Sequence, residues 1–171
     1  MVSDPFSVFD LPRRFDVDAD ALHRRFMALT SANHPDRFAD PVEQVEAAER
    51  FAAINAAHQT LADPERRANC LLELLGGAAR EDDKTLPDDL LMDMMQVRQR
   101  MEQAVAEQDQ SELGRLDQWA GEQRSAHLSR IAALFEQAGS EAGDNDQPLQ
   151  AIRIELNALR YIERMLEQLP R

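Results

Sequence analysis

A histidine, a proline and an aspartate stand in a row at residues 34 to 36, within the stretch SANHPDRFAD. Proline disfavours helix at the residue before it, so His34 is expected at the end of a helix or just beyond it. Pro35 stiffens the turn, and His34 and Asp36 therefore lose little conformational freedom on binding. Asp36 can accept charge-assisted hydrogen bonds from a partner's arginine or lysine, and His34 can donate or accept across the same contact. Because Pro and Asp are common in turns generally, the tripeptide alone fits either a recognition element or a plain turn.

Catalytic chemistry at this turn has less support from the sequence. No serine or cysteine is placed as an evident nucleophile for His34, and the chain contains no glycine-rich phosphate loop. A metal-dependent hydrolase that uses His34, Asp36 and His58 is an open alternative, although no HxxxH or CxxC spacing supports a metal site. An iron–sulfur cluster usually takes four cysteine or mixed ligands, and the chain has the single cysteine Cys70. The sequence therefore predicts neither a resident metal nor a cofactor.

Helices must position the turn, and aspartates mark where they start. Asp18 precedes one amphipathic segment, and Asp40-Pro41 and Asp63-Pro64 precede two more. The first two helices are expected to pair antiparallel, with residues 34 to 36 in the turn between them and residues 6 to 11 packed beneath as a short turn. The second of these helices is predicted to bury an apolar face made of Val45, Ala48, Ala52 and Leu61, with Phe51 and Ile54 nearby.

The second half of the chain predicts a separate helical domain. Paired glycines, charged residues and Pro87 mark a helix end, a linker and a new start across residues 76–87. Apolar residues then recur at spacings of three and four within segments 87–108, 110–138 and 147–169, which indicates an antiparallel three-helix bundle. The sequence thus predicts an all-α protein with a first domain at 1–76, a linker at 77–86 and a bundle at 87–171.

The first helix of this bundle has more apolar residues than a core stripe needs. The stripe itself, within about 80° at 100° per residue, is expected to contain Leu90, Met94, Val97, Met101 and Val105. Leu91 and Met95 lie beyond its edge, and Met92, Gln96, Gln99 and Gln103 lie nearly opposite it. Exposed apolar clusters usually mark interaction sites, and methionine adapts to irregular partners. A wider core, or packing on the first domain, is the alternative. The last helix has a similar second stripe at Ile154, Tyr161 and Met165, which would extend the surface.

Composition disfavours several functional classes. The net charge of −13 disfavours binding to nucleic-acid phosphates. No stretch reaches the roughly 18 apolar residues of a membrane span. The first ten residues lack the basic and apolar regions of a signal peptide. A single cysteine is consistent with a reducing, cytoplasmic location.

Residues 4 to 75 resemble a J-domain. The resemblance rests on FSVFDL, RFMALTSANHPDR and INAAHQTLADPERR and on the spacing between them. It implies docking on a DnaK-type chaperone and stimulation of its ATP hydrolysis, with His34, Pro35 and Asp36 as the required motif. Local positive charge for this contact would come from His23, Arg24 and Arg25 on the first long helix and from Arg37 beyond the turn. The sequence departs from the family pattern here, because many J-domains have more lysines on this helix. This departure predicts a weak contact or one tuned to a dedicated partner.

The whole chain resembles the HscB family, through NHPDRF, INAAHQTLADPERRANCLLELLG and LLMDMMQVRQRME. The bacterial form is expected, since the paired Cys-x-x-Cys motifs of eukaryotic relatives do not occur in the sequence. The resemblance implies a non-enzymatic co-chaperone of iron–sulfur cluster assembly that stimulates the chaperone HscA and delivers the scaffold IscU, promoting cluster transfer to acceptor proteins. Carried over by position, the scaffold-binding residues are Leu91, Met92, Met95, Gln96, Gln99, Gln103 and Tyr161. A general J-domain adaptor for a different client is the alternative.

Overall fold

The computed structural model describes residues 4–140 and 146–167, and every regular element within them is a helix. In chain order the elements are α1 (Pro5–Val8), α2 (Ala19–Ala32), a 3-10 helix (Pro35–Arg37), α3 (Pro41–Ala62), α4 (Pro64–Leu74), α5 (Leu90–Glu107), α6 (Gln110–Ser140) and α7 (Asp146–Leu166). The chain divides into two compact units, Met1–Leu74 and Leu75–Arg171. The all-α prediction is therefore confirmed, while the domain boundaries at residues 76 and 86 stay a prediction. Among the described residues, no helix combines the length and apolar character needed to span a bilayer.

Aspartate side chains start the helices of the first unit. Asp18 accepts hydrogen bonds from the backbone nitrogens of Asp20 and Ala21 at 2.9 and 3.0 Å. Asp40 caps α3 in the same way, and Asp63 accepts from the first turn of α4 at 2.8 Å. Each cap satisfies backbone donors that have no partner inside the helix and typically contributes about 1 kcal/mol. The three predicted helix starts are therefore confirmed.

The core of the first unit lies where α1, α2 and α3 meet. Phe6 and Phe9 are 0% and 1% exposed, and Leu61 of α3 is also fully buried. The imidazole of His58 stacks on the Phe26 ring with their centroids 4.0 Å apart. This packing makes α2 and α3 a helical pair whose connecting turn lies at one end.

The predicted buried face of α3 is wrong in its first half. Val45 is 60% exposed and Ala48 and Ala52 are also exposed, whereas Ala47 is fully buried. Alanines occur all around this helix, so the sequence pattern does not distinguish its faces. In the second half of the helix the prediction is confirmed for Ile54 and Leu61, which are buried, and Phe51 is half-buried.

The packing of His58 predicts a pH-dependent stability for the first unit. Burial lowers the pKa of His58 below its ordinary value of 6.5, and the charge of nearby His23 lowers it further. The unfolded chain therefore binds a proton at His58 more tightly than the folded chain does. The neutral ring makes its full contribution to the free energy of unfolding above pH 6.5, and this contribution is lost as the pH falls below that value. His58→Phe keeps an aromatic ring on Phe26 and removes the titration. Urea unfolding between about pH 7.5 and about pH 5.5 should show a smaller loss of stability in this variant than in the wild type. Equal losses in the two proteins would contradict the assignment.

The second unit is a three-helix bundle of α5, α6 and α7. One cluster of its core joins Leu90, Met94, Val97 and Met101 of α5 to Leu116 of α6 and to Ala158, Ile162 and Met165 of α7, with Leu86 and Trp119 packed against it. The predicted helices agree with the observed bounds to within a few residues, except that the predicted end at residue 169 lies outside the described residues.

The predicted burial of one residue in the α5 stripe, Val105, is wrong. Val105 is 42% exposed, and Ala104 is buried instead at 2%. At 100° per residue, Ala104 and Val105 lie about 40° and about 60° to opposite sides of Leu90. The bundle covers the edge of the stripe that contains Ala104. The other edge, shared with Leu91, faces solvent.

A buried polar group holds α6 to α7. His127 is 5% exposed, and its Nδ1 lies 2.6 Å from Oε2 of Glu155. Arg130 donates from Nε to the same carboxylate oxygen at 2.9 Å. His127 falls on the apolar stripe of α6 and is a satisfied core histidine, because buried polar groups must find partners.

The segment that precedes α5 is fastened to α7. Arg153, 1% exposed, donates from Nε to the carbonyl of Ala78 at 2.9 Å. The Asn157 amide donates to the carbonyls of Asp83 and Thr85 at 3.1 and 3.0 Å. Ala78, Asp83 and Thr85 belong to the predicted linker 77–86, and this segment lies within the second unit. The role of this segment as a linker stays a prediction.

Candidate interaction surfaces

His34, Pro35 and Asp36 form the turn between α2 and α3. Helix α2 ends at Ala32, and His34 has extended backbone angles of φ −66° and ψ 128° as the N-cap of the 3-10 helix. Its Nδ1 accepts a hydrogen bond from the backbone nitrogen of Asp36 at 3.3 Å, and its ring lies edge-on to Phe51 at 5.6 Å. The prediction that His34 lies just beyond the helix is confirmed.

This cap orients the imidazole. Because Nδ1 accepts from a backbone N–H, the neutral ring carries its proton on Nε2, which is then its hydrogen-bond donor. The Asp36 carboxylate lies 3.6 Å from Nδ1, and the side chains of His34 and Asp36 are 50% and 88% exposed. The turn therefore presents one donor and one carboxylate to solvent from a backbone that is already ordered.

The three predicted docking arginines have different surroundings. Arg25 donates to the backbone carbonyls of Phe9 and Asp10 and lies 3.6 Å from the Asp10 carboxylate. Asp10 has a left-handed backbone with φ 49°, so Arg25 holds the turn that follows α1. Arg37 donates to the Ser31 carbonyl at 3.3 Å, and Arg24 is exposed with no ion pair to any described residue. Arg25 thus has a structural role that its position on the helix did not reveal.

Arg24 and Arg25 make a matched pair of variants. Arg25→Gln is expected to lower the free energy of unfolding by about 1–2 kcal/mol, because charge-assisted bonds to two carbonyls are lost. Arg24→Gln is expected to change it by less than about 0.5 kcal/mol, as for most surface substitutions. Chemical denaturation of both variants measures the difference. Equal stabilities would mean that the Arg25 contacts contribute nothing to folding.

A second surface lies on α5. Leu91, Met92 and Met95, which we call the α5 patch, are 52%, 65% and 70% exposed, although the neighbouring Leu90 and Met94 are buried. The exposure predicted from helical spacing is confirmed for these three residues. Polar side chains continue the same face toward the end of the helix, and the exposed members are Gln96, Gln99 and Gln103. The Gln103 amide donates to Glu107 at 3.0 Å.

Helix α7 adds less to this surface than predicted. Tyr161 is 40% exposed, but Met165 is buried at 9% and Ile154 is half-buried. The prediction for Met165 is therefore wrong. Helix α7 packs against α5 as well as α6, and Ala158, Ile162 and Met165 all join the α5 core cluster. The buried face of α7 is therefore wider than it would be if the helix packed against a single neighbour.

The residues of the hydrolase alternative do not form a metal site in the described structure. Within residues 4–140 and 146–167, no group of three His, Cys, Asp or Glu side chains could hold a metal ion. His34 and Asp36 lie side by side, whereas His58 packs on Phe26. The structure therefore brings two of the three predicted ligands together, whereas the third, His58, is half-buried against an aromatic ring.

Comparison with known proteins identifies the family to which each half of the chain is similar. A family model described as "DnaJ domain" matches residues 4–70, and one described as "HSCB C-terminal oligomerisation domain" matches residues 86–170. The fold and the exposed turn thus define a J-domain co-chaperone, a class that acts with a DnaK-type chaperone. The "Co-chaperone protein HscB homolog" of Pasteurella multocida is 32% identical over 171 residues, which cover 98% of this chain and 94% of the relative. The chain belongs to the HscB family.

A second relative supports this assignment, and two solved structures show a similar fold. The "Co-chaperone protein HscB homolog" of Burkholderia thailandensis is 34% identical over 153 residues, covering 88% of this chain and 87% of the relative. The crystal structure of human co-chaperone protein HscB has a TM-score of 0.81 at 22% identity and shares the fold, covering 98% of this chain and 81% of that one. Chaperone HscB from Vibrio cholerae has a TM-score of 0.73 at 27% identity, covering 98% and 95%.

Proposed function

We propose that this protein is a co-chaperone of iron–sulfur cluster assembly in the cytoplasm. Its J-domain stimulates ATP hydrolysis by a dedicated DnaK-class chaperone of the HscA type. Its bundle binds an IscU-type scaffold protein and delivers it to that chaperone, which promotes cluster transfer to acceptor proteins. The ATP chemistry belongs to the chaperone, so this chain is a regulator without catalytic residues or a cofactor of its own.

The turn at residues 34 to 36 is the proposed chaperone contact. A J-domain can stimulate hydrolysis only by binding one conformation of the chaperone better than another, which couples the docking site to the nucleotide site. The oriented imidazole of His34 and the exposed carboxylate of Asp36 supply directional contacts for such discrimination. Arg24 and Arg37 add positive charge that attracts an acidic partner surface.

The α5 patch is the proposed centre of the scaffold contact. The single observation that carries the proposal is that Leu91, Met92 and Met95 are each more than half exposed on one helix of a well-packed bundle. Burying such side chains removes apolar area from water, at roughly 25 cal/mol per Å². Exposed Tyr161 and the three glutamines would form the more polar rim, where contacts contribute less to affinity.

A steady-state ATPase assay tests the proposal. The HscA-type chaperone is measured alone, with this protein, with the scaffold and with both. We expect stimulation by this protein, and a rate with both ligands that exceeds the sum of the separate increments, because delivery couples client binding to J-domain docking. A chaperone rate unchanged by this protein would refute the proposal. Stimulation without any effect of the scaffold, together with a different client in a pull-down, would favour the general adaptor.

A further inference from the structure

A cationic pocket lies within the second unit, beside α7. Its volume is about 430 Å³, and the segment that precedes α5 forms one wall while α7 forms the other. Four basic side chains line it, namely Arg80, Lys84, Arg160 and Arg164, together with the carboxylate of Glu81. In a chain with a net charge of −13, this is a local excess of three positive charges (four basic residues minus one acidic).

The basic residues of the pocket differ from the others in the bundle. Arg98, Arg100, Arg115, Arg124 and Arg130 each form an ion pair with a glutamate. By contrast, no ion pair within the described part of the chain involves any of the four that line the pocket. Cations that are not engaged in ion pairs are available to an anionic ligand, so the charge of this lining favours a negatively charged occupant.

The wall opposite α7 is held in place. The Asn157 amide donates to the carbonyls of Asp83 and Thr85, which flank Lys84. The buried Arg153 fastens the same segment at Ala78, two residues before Arg80. The pocket is therefore formed before any ligand arrives, and a preorganised site loses less entropy on binding.

The pocket is continuous with the proposed scaffold contact. Tyr161 belongs to both, and Leu86 of the pocket packs against the core cluster that contains Leu90 and Met94. Tyr161 and Leu86 give the pocket an apolar edge on the side of α5. An occupant that pairs with the cations and also covers this edge needs both carboxylates and apolar groups, which a peptide segment provides and a free phosphate does not.

We propose that this pocket binds an acidic segment of the client protein whose apolar part covers the α5 patch. The inference rests on the proposed function, since it assigns a second contact to the same client. The carboxylates of the segment would pair with Arg160 and Arg164 of α7, and with Arg80 and Lys84 on the opposite wall. Charge contacts of this kind raise the association rate and weaken as salt is added.

The test compares two double variants with the same net charge. Arg160→Gln with Arg164→Gln removes two pocket cations and keeps good helix formers in α7. Arg66→Gln with Arg115→Gln removes two exposed cations elsewhere, and Glu112 keeps its contact with Arg100. Calorimetric titration with the IscU-type scaffold should show affinity weakened about fivefold to tenfold for the pocket variant in ~0.05 M salt, and less in ~0.5 M salt. The control variant should stay within about twofold of the wild type.

The outcomes separate this inference from the proposed function. Equal affinities of the two double variants, with scaffold binding that still depends on the α5 patch, would overturn the pocket contact and leave the function standing. Failure of the wild-type protein to bind the scaffold would overturn both. Inorganic phosphate is titrated into the wild-type complex at constant ionic strength. Phosphate that fills the pocket without displacing the scaffold would show a small-anion site and would also overturn the inference.

Discussion

Substitution of His34 by glutamine should lower the stimulation of the chaperone ATPase by about tenfold or more, with scaffold binding unchanged. Couplings between binding sites are typically worth about 1–3 kcal/mol, so losing the contact that carries one produces an effect of this size. His34 lies on the exposed turn of the first unit, whereas the α5 patch belongs to the second. The measurement is the chaperone's ATPase rate against co-chaperone concentration, with scaffold affinity determined on the same preparation.

A second substitution separates recognition from local structure. The Nδ1 atom of His34 caps the 3-10 helix, so loss of stimulation in the glutamine variant has two possible physical causes. Asparagine is among the best N-cap residues, and His34→Asn therefore keeps a side-chain acceptor while it removes the imidazole. We expect this variant to be as inactive as His34→Gln. Wild-type stimulation by His34→Asn would show that the turn needs only a cap and that the imidazole makes no contact with the chaperone.

Replacing Leu91, Met92 and Met95 together by alanine should weaken scaffold binding by about 100-fold. The variant should still stimulate the chaperone normally when no scaffold is present. Large apolar residues at the centre of an interface commonly cost more than about 1 kcal/mol each when truncated. Because all three are more than half exposed, and because alanine favours helix, the bundle should remain folded. Calorimetry measures the affinity, and circular dichroism verifies the fold.

The first unit offers a matched control for this triple variant. Met27, Val42 and Val45 are 53%, 68% and 60% exposed, so their replacement by alanine removes a similar exposed apolar surface elsewhere. Scaffold affinity should be unchanged in this control. An equal loss of affinity in both triple variants, or no loss in either, would mean that the α5 patch does not bind the scaffold specifically.

Much of the fold follows from local rules that operate within a few residues. Aspartate caps and prolines at first helical positions specify where α2, α3 and α4 begin, and these starts are readable because cap and helix are adjacent in the chain. Which alanines of α3 are buried depends on the helices that pack against it. For this reason Ala47 was not distinguishable from Ala48, whereas bulky Ile54 and Leu61 were.

The candidate surfaces also differ in whether they depend on neighbouring residues or on contacts between distant parts of the chain. The turn at His34 and the spacing of Leu91, Met92 and Met95 are local features, and their exposure could be predicted. The anchoring of Arg25 on the turn after α1 joins residues 15 and 16 positions apart, which helical spacing does not report. The cationic pocket joins residues 80–86 to residues 157–164, and its local signals are two four-residue spacings, that of Arg80 and Lys84 and that of Arg160 and Arg164. Such sites depend on tertiary packing.

The methionines of α5 have unequal chemical vulnerability. Met92 and Met95 are 65% and 70% exposed, whereas Met94 and Met101 are 3% and 7% exposed. Peroxide converts an accessible thioether into a polar sulfoxide, and reductases can reverse this oxidation. Oxidative conditions would therefore make the α5 patch hydrophilic and weaken the proposed scaffold contact, while the methionines of the bundle interior stay reduced. The residues that give this surface its adaptability thus also make it sensitive to redox damage.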